Sequence, residues 1–104
     1  MRKIVILSQT REKNAKDIYL VKTFIQQTQK DKNFNELCLV VNHQQNYHSS
    51  LTTEIFYKNL FILKSNLKTL SEARNLLIDY SIKKIPELDY IFFVDDDVYI
   101  EDLS

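Results

Sequence analysis

The sequence predicts a three-layer α/β fold, with a parallel sheet of four strands in spatial order third, second, first, fourth (3-2-1-4) and helices on both faces. Three observations predict it. Short apolar runs recur at Lys3–Ser8, Glu36–Asn42, Asn59–Lys64 and from Leu88, the mark of strands covered on both sides. Segments of helical spacing separate them, so each strand is followed by a crossover rather than a hairpin. Right-handed crossovers then bring the first and fourth strands together as neighbours.

Taken in order, Lys3–Ser8 is the first strand and the polar Gln9–Lys13 a connecting loop. A helix follows from about Asn14 to Gln29, where Ile18, Val21, Phe24, Ile25 and Thr28 share one face. Asp31–Asn35 is a polar turn before the second strand, Glu36–Asn42, and His43–Ser50 is a loop without periodicity. Leu51–Lys58 is read as a short helix and Asn59–Lys64 as the third strand. Thr69 and Glu72 have capping-box spacing, so a helix starts there, turns Ala73, Leu76, Leu77 and Tyr80 inward, and ends by Lys84 ahead of Pro86. Leu88–Val98 is then an apolar strand, read as buried and central, that runs into Asp95, Asp96 and Asp97.

A chain of 104 residues is one domain, large enough for a real core without disulfides or zinc. Its net charge of zero hides a division. All 14 bases lie between Arg2 and Lys84, and Ile85–Ser104 carries seven acids and no base. A basic body beside an acidic tip suits an anion held through a metal, and no basic run interleaved with aromatics suggests nucleic acid. Glycine is absent, which excludes both G-x-G-x-x-G and a P-loop. Cys38 lies alone in an apolar run and reads as a buried, inert thiol. Without a signal-peptide core or membrane-length run, a cytoplasmic location is expected, peripheral membrane association staying open.

The chemistry is expected at the tip. Three adjacent carboxylates repel one another and raise each other's pKa unless a cation offsets the charge, and a divalent ion is the economical answer. The bland alternative is an acidic loop after a strand. The topology places Ser8–Arg11 beside Asp95–Asp97, at the reversal point where such sheets bind ligands.

Two segments, Ser71-Glu72-Ala73-Arg74-Asn75 opening a helix and Tyr90-Ile91-Phe92-Phe93-Val94-Asp95-Asp96-Asp97, resemble the nucleotide-sugar-binding half of family 2 glycosyltransferases, which have the A-type, Rossmann-like fold. Ser8-Gln9-Thr10-Arg11 fits the same pattern more loosely. The resemblance implies a donor-binding domain for a nucleoside-diphosphate sugar, a UDP-sugar first, serving transfer to a glycan acceptor in polysaccharide biosynthesis. It implies Mn²⁺ or Mg²⁺ held by Asp97 and Asp95, with Asp95 or Asp96 also contacting ribose or metal-bound water. Arg74 would clamp the diphosphate or stack beside the base, Asn75 would bond the donor or tie the helix to its loop, and Thr10 and Arg11 would border the base. For Arg74 an ion pair with the tip is the structural alternative. Asn42 stands where relatives commonly carry an aspartate that reads the base, and Leu76 and Leu77 follow the Ala-Arg-Asn motif where relatives carry a glycine.

The acceptor half of the family and its general base have no counterpart in the sequence, and Glu101 and Asp102 lie too near the tip for that role. These 104 residues are therefore expected to bind donor rather than act alone. A non-catalytic nucleotide-sugar-binding or self-associating module is the alternative, since an unfinished sheet edge encourages a homo-oligomer. A second enzyme reading is a haloacid-dehalogenase-like phosphatase, from Asp95-x-Asp97 after an apolar strand. That motif normally follows the first strand, and Tyr99 stands where a Thr or Val is usual. His43 and His48 are read as exposed loop residues, Phe24, Phe56, Phe61, Phe92 and Phe93 as core, and Tyr47 and Tyr99 as weak sugar or base contacts.

Overall fold

A computed structural model describes residues 3–30, 37–44, 52–66 and 69–97, with 52–56 described as backbone. Its strands are β1 (Lys3–Thr10), β2 (Leu37–Gln44), β3 (Thr52–Tyr57), β4 (Leu60–Ser65) and β5 (Leu88–Phe93), and its helices are α1 (Tyr19–Lys30) and α2 (Leu70–Lys84). They form one sheet in the order β3-β4-β2-β1-β5. The four strands β4, β2, β1 and β5 are parallel and stand in the order expected for the third, second, first and fourth apolar runs. The fold is α/β and Rossmann-like in arrangement, with α1 against one face of the sheet and α2 against the other.

Strand alternation explains how each run serves two cores. Ile4 and Ile6 of β1 join Leu37, Leu39 and Val41 of β2 under Val21 and Phe24 of α1. Val5 and Leu7 join Cys38, Val40 and Leu63 against Leu77 of α2. Every residue of β2 is consequently buried, which is why that run reads apolar without alternation. Thr69 caps α2 as its spacing predicts, its hydroxyl accepting from the Glu72 N–H at 3.1 Å, and the helix stops at Lys84.

The structure corrects four expectations. Leu51–Lys58 is not a helix: Thr52–Tyr57 is a strand that turns back along β4, antiparallel to it. Lys58 and Asn59 make the turn, Asn59 taking a left-handed φ of 62° that an Asn tolerates in a chain with no glycine. His43 and Gln44 belong to β2 rather than a loop; His43 is buried and its Nε2 lies 2.8 Å from the Glu12 carbonyl. The first helix begins at Tyr19, because a 3₁₀ turn at Ala15–Asp17, capped by Asn14, ends in an extended Ile18.

The fourth correction concerns β5. It pairs with β1 alone among the described strands, so it is an edge rather than a central strand. Tyr90, Phe92 and Phe93, read as apolar core, are 46%, 51% and 42% exposed. Tyr90 and Phe92 stack on each other, ring centroids 6.5 Å apart, while the α1 cluster includes no described residue of β5 and takes in only Val94, just after it. His48, Tyr47, Tyr99, Glu101 and Asp102 lie outside the described residues, as do the Asp31–Asn35 turn and the Phe56 side chain.

Cys38 is a free, buried thiol, as its apolar setting predicts. Burial pushes its pKa up, Lys3 opposing only in part. Because the folded state disfavours the thiolate, this group lowers stability as pH rises above the ordinary thiol value and is neutral to stability below it. Alkylation at pH 8 should therefore be slow in buffer and at least tenfold faster in about 6 M urea, followed by mass spectrometry. Equal rates in both would mean the α2 core is open to solvent. No helix among the described residues is long and apolar enough to cross a membrane.

Candidate functional site

The sequence leaves β1 on one face through α1 and enters β5 on the other through α2, so the carboxyl ends of these neighbouring strands border a crevice. Four hydrogen bonds fix its floor. The Val94 N–H donates to the Leu7 carbonyl (3.0 Å), prolonging the ladder beyond β5, and the Ser8 hydroxyl donates to the Val94 carbonyl (2.8 Å). The Thr10 hydroxyl donates to Asp96 Oδ2 (2.7 Å) and accepts from the Glu12 N–H (3.1 Å). Ser8–Arg11 and the aspartates are thus stapled together, the juxtaposition the topology predicts.

On the α2 side the crevice is an open cleft of about 770 Å³ whose lining includes Arg11, Arg74, Phe93, Asp95, Asp96 and Asp97. Such a volume accommodates a small polar ligand. Arg74 sits one turn into α2 and reaches the cleft wall, its guanidinium carbon 5.4 Å from the centre of the Phe93 ring. A cation over an exposed ring is worth about 0.5–1 kcal/mol, enough to bias the side chain toward the cleft. Arg74 therefore rests on a ring, and no hydrogen bond or ion pair joins it to the tip among the described residues.

The aspartates do not act as one cluster. Asp96 is half-buried and engaged by Thr10, whereas Asp95 and Asp97 are exposed. Among the described residues no three His, Cys, Asp or Glu side chains converge closely enough to cage a metal. The donor set is one or two hard carboxylate oxygens beside open space. That fits Mg²⁺ or Mn²⁺, ions that keep waters and share ligand phosphates, and does not fit an all-protein cage.

The remaining candidates are placed differently. Thr10 is buried and straps the tip rather than lining the cleft. Asn75 is exposed on α2 and does not line it. Asn42 is fully buried beside Gln9 in the β1–β2 register and does not line the cleft, and neither its Oδ1 nor its Nδ2 has a hydrogen-bond partner among the described residues. Gln9, which does line the cleft, donates through Nε2 to Gln44 Oε1 while its own Oε1 is unpartnered. Buried polar atoms are normally satisfied, so these three stand out, and of them only Gln9 Oε1 belongs to a residue that lines the cleft.

Two contributors escaped the sequence reading. Gln9 was assigned to a loop; the signal for it was the two-residue continuation of alternation, which makes Gln9 and Thr10 strand residues facing opposite sides. The apolar run reads Phe93 as core, whereas on the edge strand β5 it is 42% exposed and its ring lies under Arg74. Comparison with protein-family models, curated proteins and solved structures finds no match to this chain.

Proposed function

We propose that the cleft binds the diphosphate of a nucleoside-diphosphate sugar and that the domain is the donor-binding part of a glycosyltransferase of the family 2 type. The observation that supports this reading is the convergence of Arg74, Arg11 and the aspartate tip on one cleft at the carboxyl ends of β1 and β5. Two guanidinium groups offer planar forks to phosphate oxygens, and Arg74 comes partly preorganised by Phe93. Asp97 and Asp95 are the residues that would hold a divalent ion, which when bound offsets the negative charge of a departing diphosphate. Gln9, which lines the cleft, would meet a polar edge of the base, where its Oε1 gains a hydrogen bond. Asp96, engaged by Thr10, holds the turn in shape.

Calorimetric titration with UDP and UDP-sugars, with and without Mn²⁺, tests the reading on the unmodified chain and on Asp97→Ala. Binding should strengthen at least about fivefold with the metal, and Asp97→Ala should abolish that increment. Binding that ignores the metal, or an equal increment in the variant, overturns the metal assignment. Absence of any nucleotide response overturns the function.

A further inference from the structure

We infer that the aspartate tip is a wall common to two sites, and that the second, a groove between the tip and the start of α1, binds a neutral saccharide. Its service as an acceptor subsite rests on the donor reading above. The groove, of about 690 Å³, is lined by Glu12, Asp17, Tyr19 and Lys22 together with Asp96 and Asp97, the last two shared with the Arg74 cleft. The two spaces therefore lie back to back across one turn.

Their chemistry differs. The Arg74 cleft has two guanidinium groups, but the groove has none: its lining carries the carboxylates of Glu12, Asp17, Asp96 and Asp97 against the ammonium groups of Lys13 and Lys22. A second phosphate is disfavoured by that excess of negative charge. A bare metal ion is disfavoured too, since among the described residues no three carboxylates converge to hold one. What carboxylates, an amide and ammonium groups together recognise is a ring of hydroxyls, each both donor and acceptor, with adjacent hydroxyls bridging one carboxylate.

The groove also has an apolar platform. The Tyr19 side chain is 63% exposed, the equal-largest exposure among the large hydrophobic residues described. Its position follows from the break in the predicted helix. Asn14 caps the 3₁₀ turn, Ile18 is extended (φ −69°, ψ 146°) and drops into the core, and the next residue, Tyr19, is left outside at the first position of α1. A flat ring with a hydroxyl at its rim matches the C–H face of a pyranose, and the groove is large enough for one or two sugar rings. A hydroxyl bound there lies against the turn that carries Asp96 and Asp97, the same turn that borders the proposed diphosphate site.

The test uses the full chain labelled with ¹⁵N, titrated separately with methyl β-D-glucoside, methyl β-D-galactoside, N,N′-diacetylchitobiose and UDP with the diamagnetic Mg²⁺. At least one saccharide should shift the amides of 12–22 and 96–97 with a millimolar Kd. Tyr19→Ala should weaken this about tenfold and Asp17→Asn by a smaller factor, while Arg74→Ala leaves it unchanged. UDP should shift residues of the Arg74 cleft and not Tyr19. No saccharide response at about 50 mM, an undiminished response in Tyr19→Ala, or occupation of the groove by UDP overturns the inference. A saccharide response without a nucleotide response would instead remove the donor reading and leave the groove standing, so the two fail separately.

Discussion

Asn42→Val is expected to stabilise the protein by about 1–3 kcal/mol, an unusual direction for a substitution at a fully buried site. The side chain lies in the all-buried strand β2, between Gln9 on β1 and Leu63 on β4, and neither of its polar atoms has a partner among the described residues. An unpaired buried amide forfeits its hydration without recovering a hydrogen bond, whereas valine removes both orphans and suits a strand. Urea denaturation should show a midpoint raised by roughly 1 M at unchanged slope. A lowered midpoint would mean that a buried water already bridges the amide, and the orphan argument would fail.

The buried Asn42 marks a limit of what the sequence discloses. Parallel strand order and the location of the cleft were legible, because apolar runs, the Thr69 cap and crossover handedness are local or nearly universal constraints. The hairpin was not. Thr52–Tyr57 is rich in β-branched and aromatic residues, yet a parallel α/β alternation favoured a helix there, and the deciding detail is a left-handed Asn59 in a tight turn. The chain has no glycine to announce such turns: the two left-handed positions among the described residues are Asn59 and Glu87. Nor does composition distinguish an edge strand from a central one. The apolar run of β5 looks buried, and it becomes a partly exposed wall only because β1 is its sole described neighbour.

The site followed the same division. That Ser8–Arg11 meets Asp95–Asp97 was a topological consequence, readable before any coordinate. How the groups divide the work was not, since it depends on which side of a strand each faces. Thr10 and Gln9 are consecutive and do opposite things: one pins Asp96 on the α1 side, the other opens onto the Arg74 cleft. The Asp triplet, which reads as one charge cluster, is divided by the Thr10 bond into a structural member and two exposed ones.

Arg74→Ala should lower nucleoside-diphosphate affinity by about 10–100-fold, the range for losing a charge-assisted fork, and Arg74→Lys should recover only part of it. Lysine keeps the charge but not the plane that lies over Phe93 or the paired donors that match phosphate oxygens. The Phe93 contact makes the prediction specific, because it separates positioning from general electrostatics. If the ring holds the guanidinium toward the cleft, Phe93→Leu should weaken binding about two- to fivefold with the charge intact, and should have no further effect once Arg74 is alanine. A purely electrostatic role would instead make Arg74→Lys nearly neutral, make Phe93→Leu silent, and leave the deficit of Arg74→Ala strongly dependent on salt. Calorimetry of the four-member cycle at two ionic strengths distinguishes the cases. Coupling between Phe93 and Arg74 that survives in high salt would tie the half-exposed ring that β5 turns toward α2 to ligand binding.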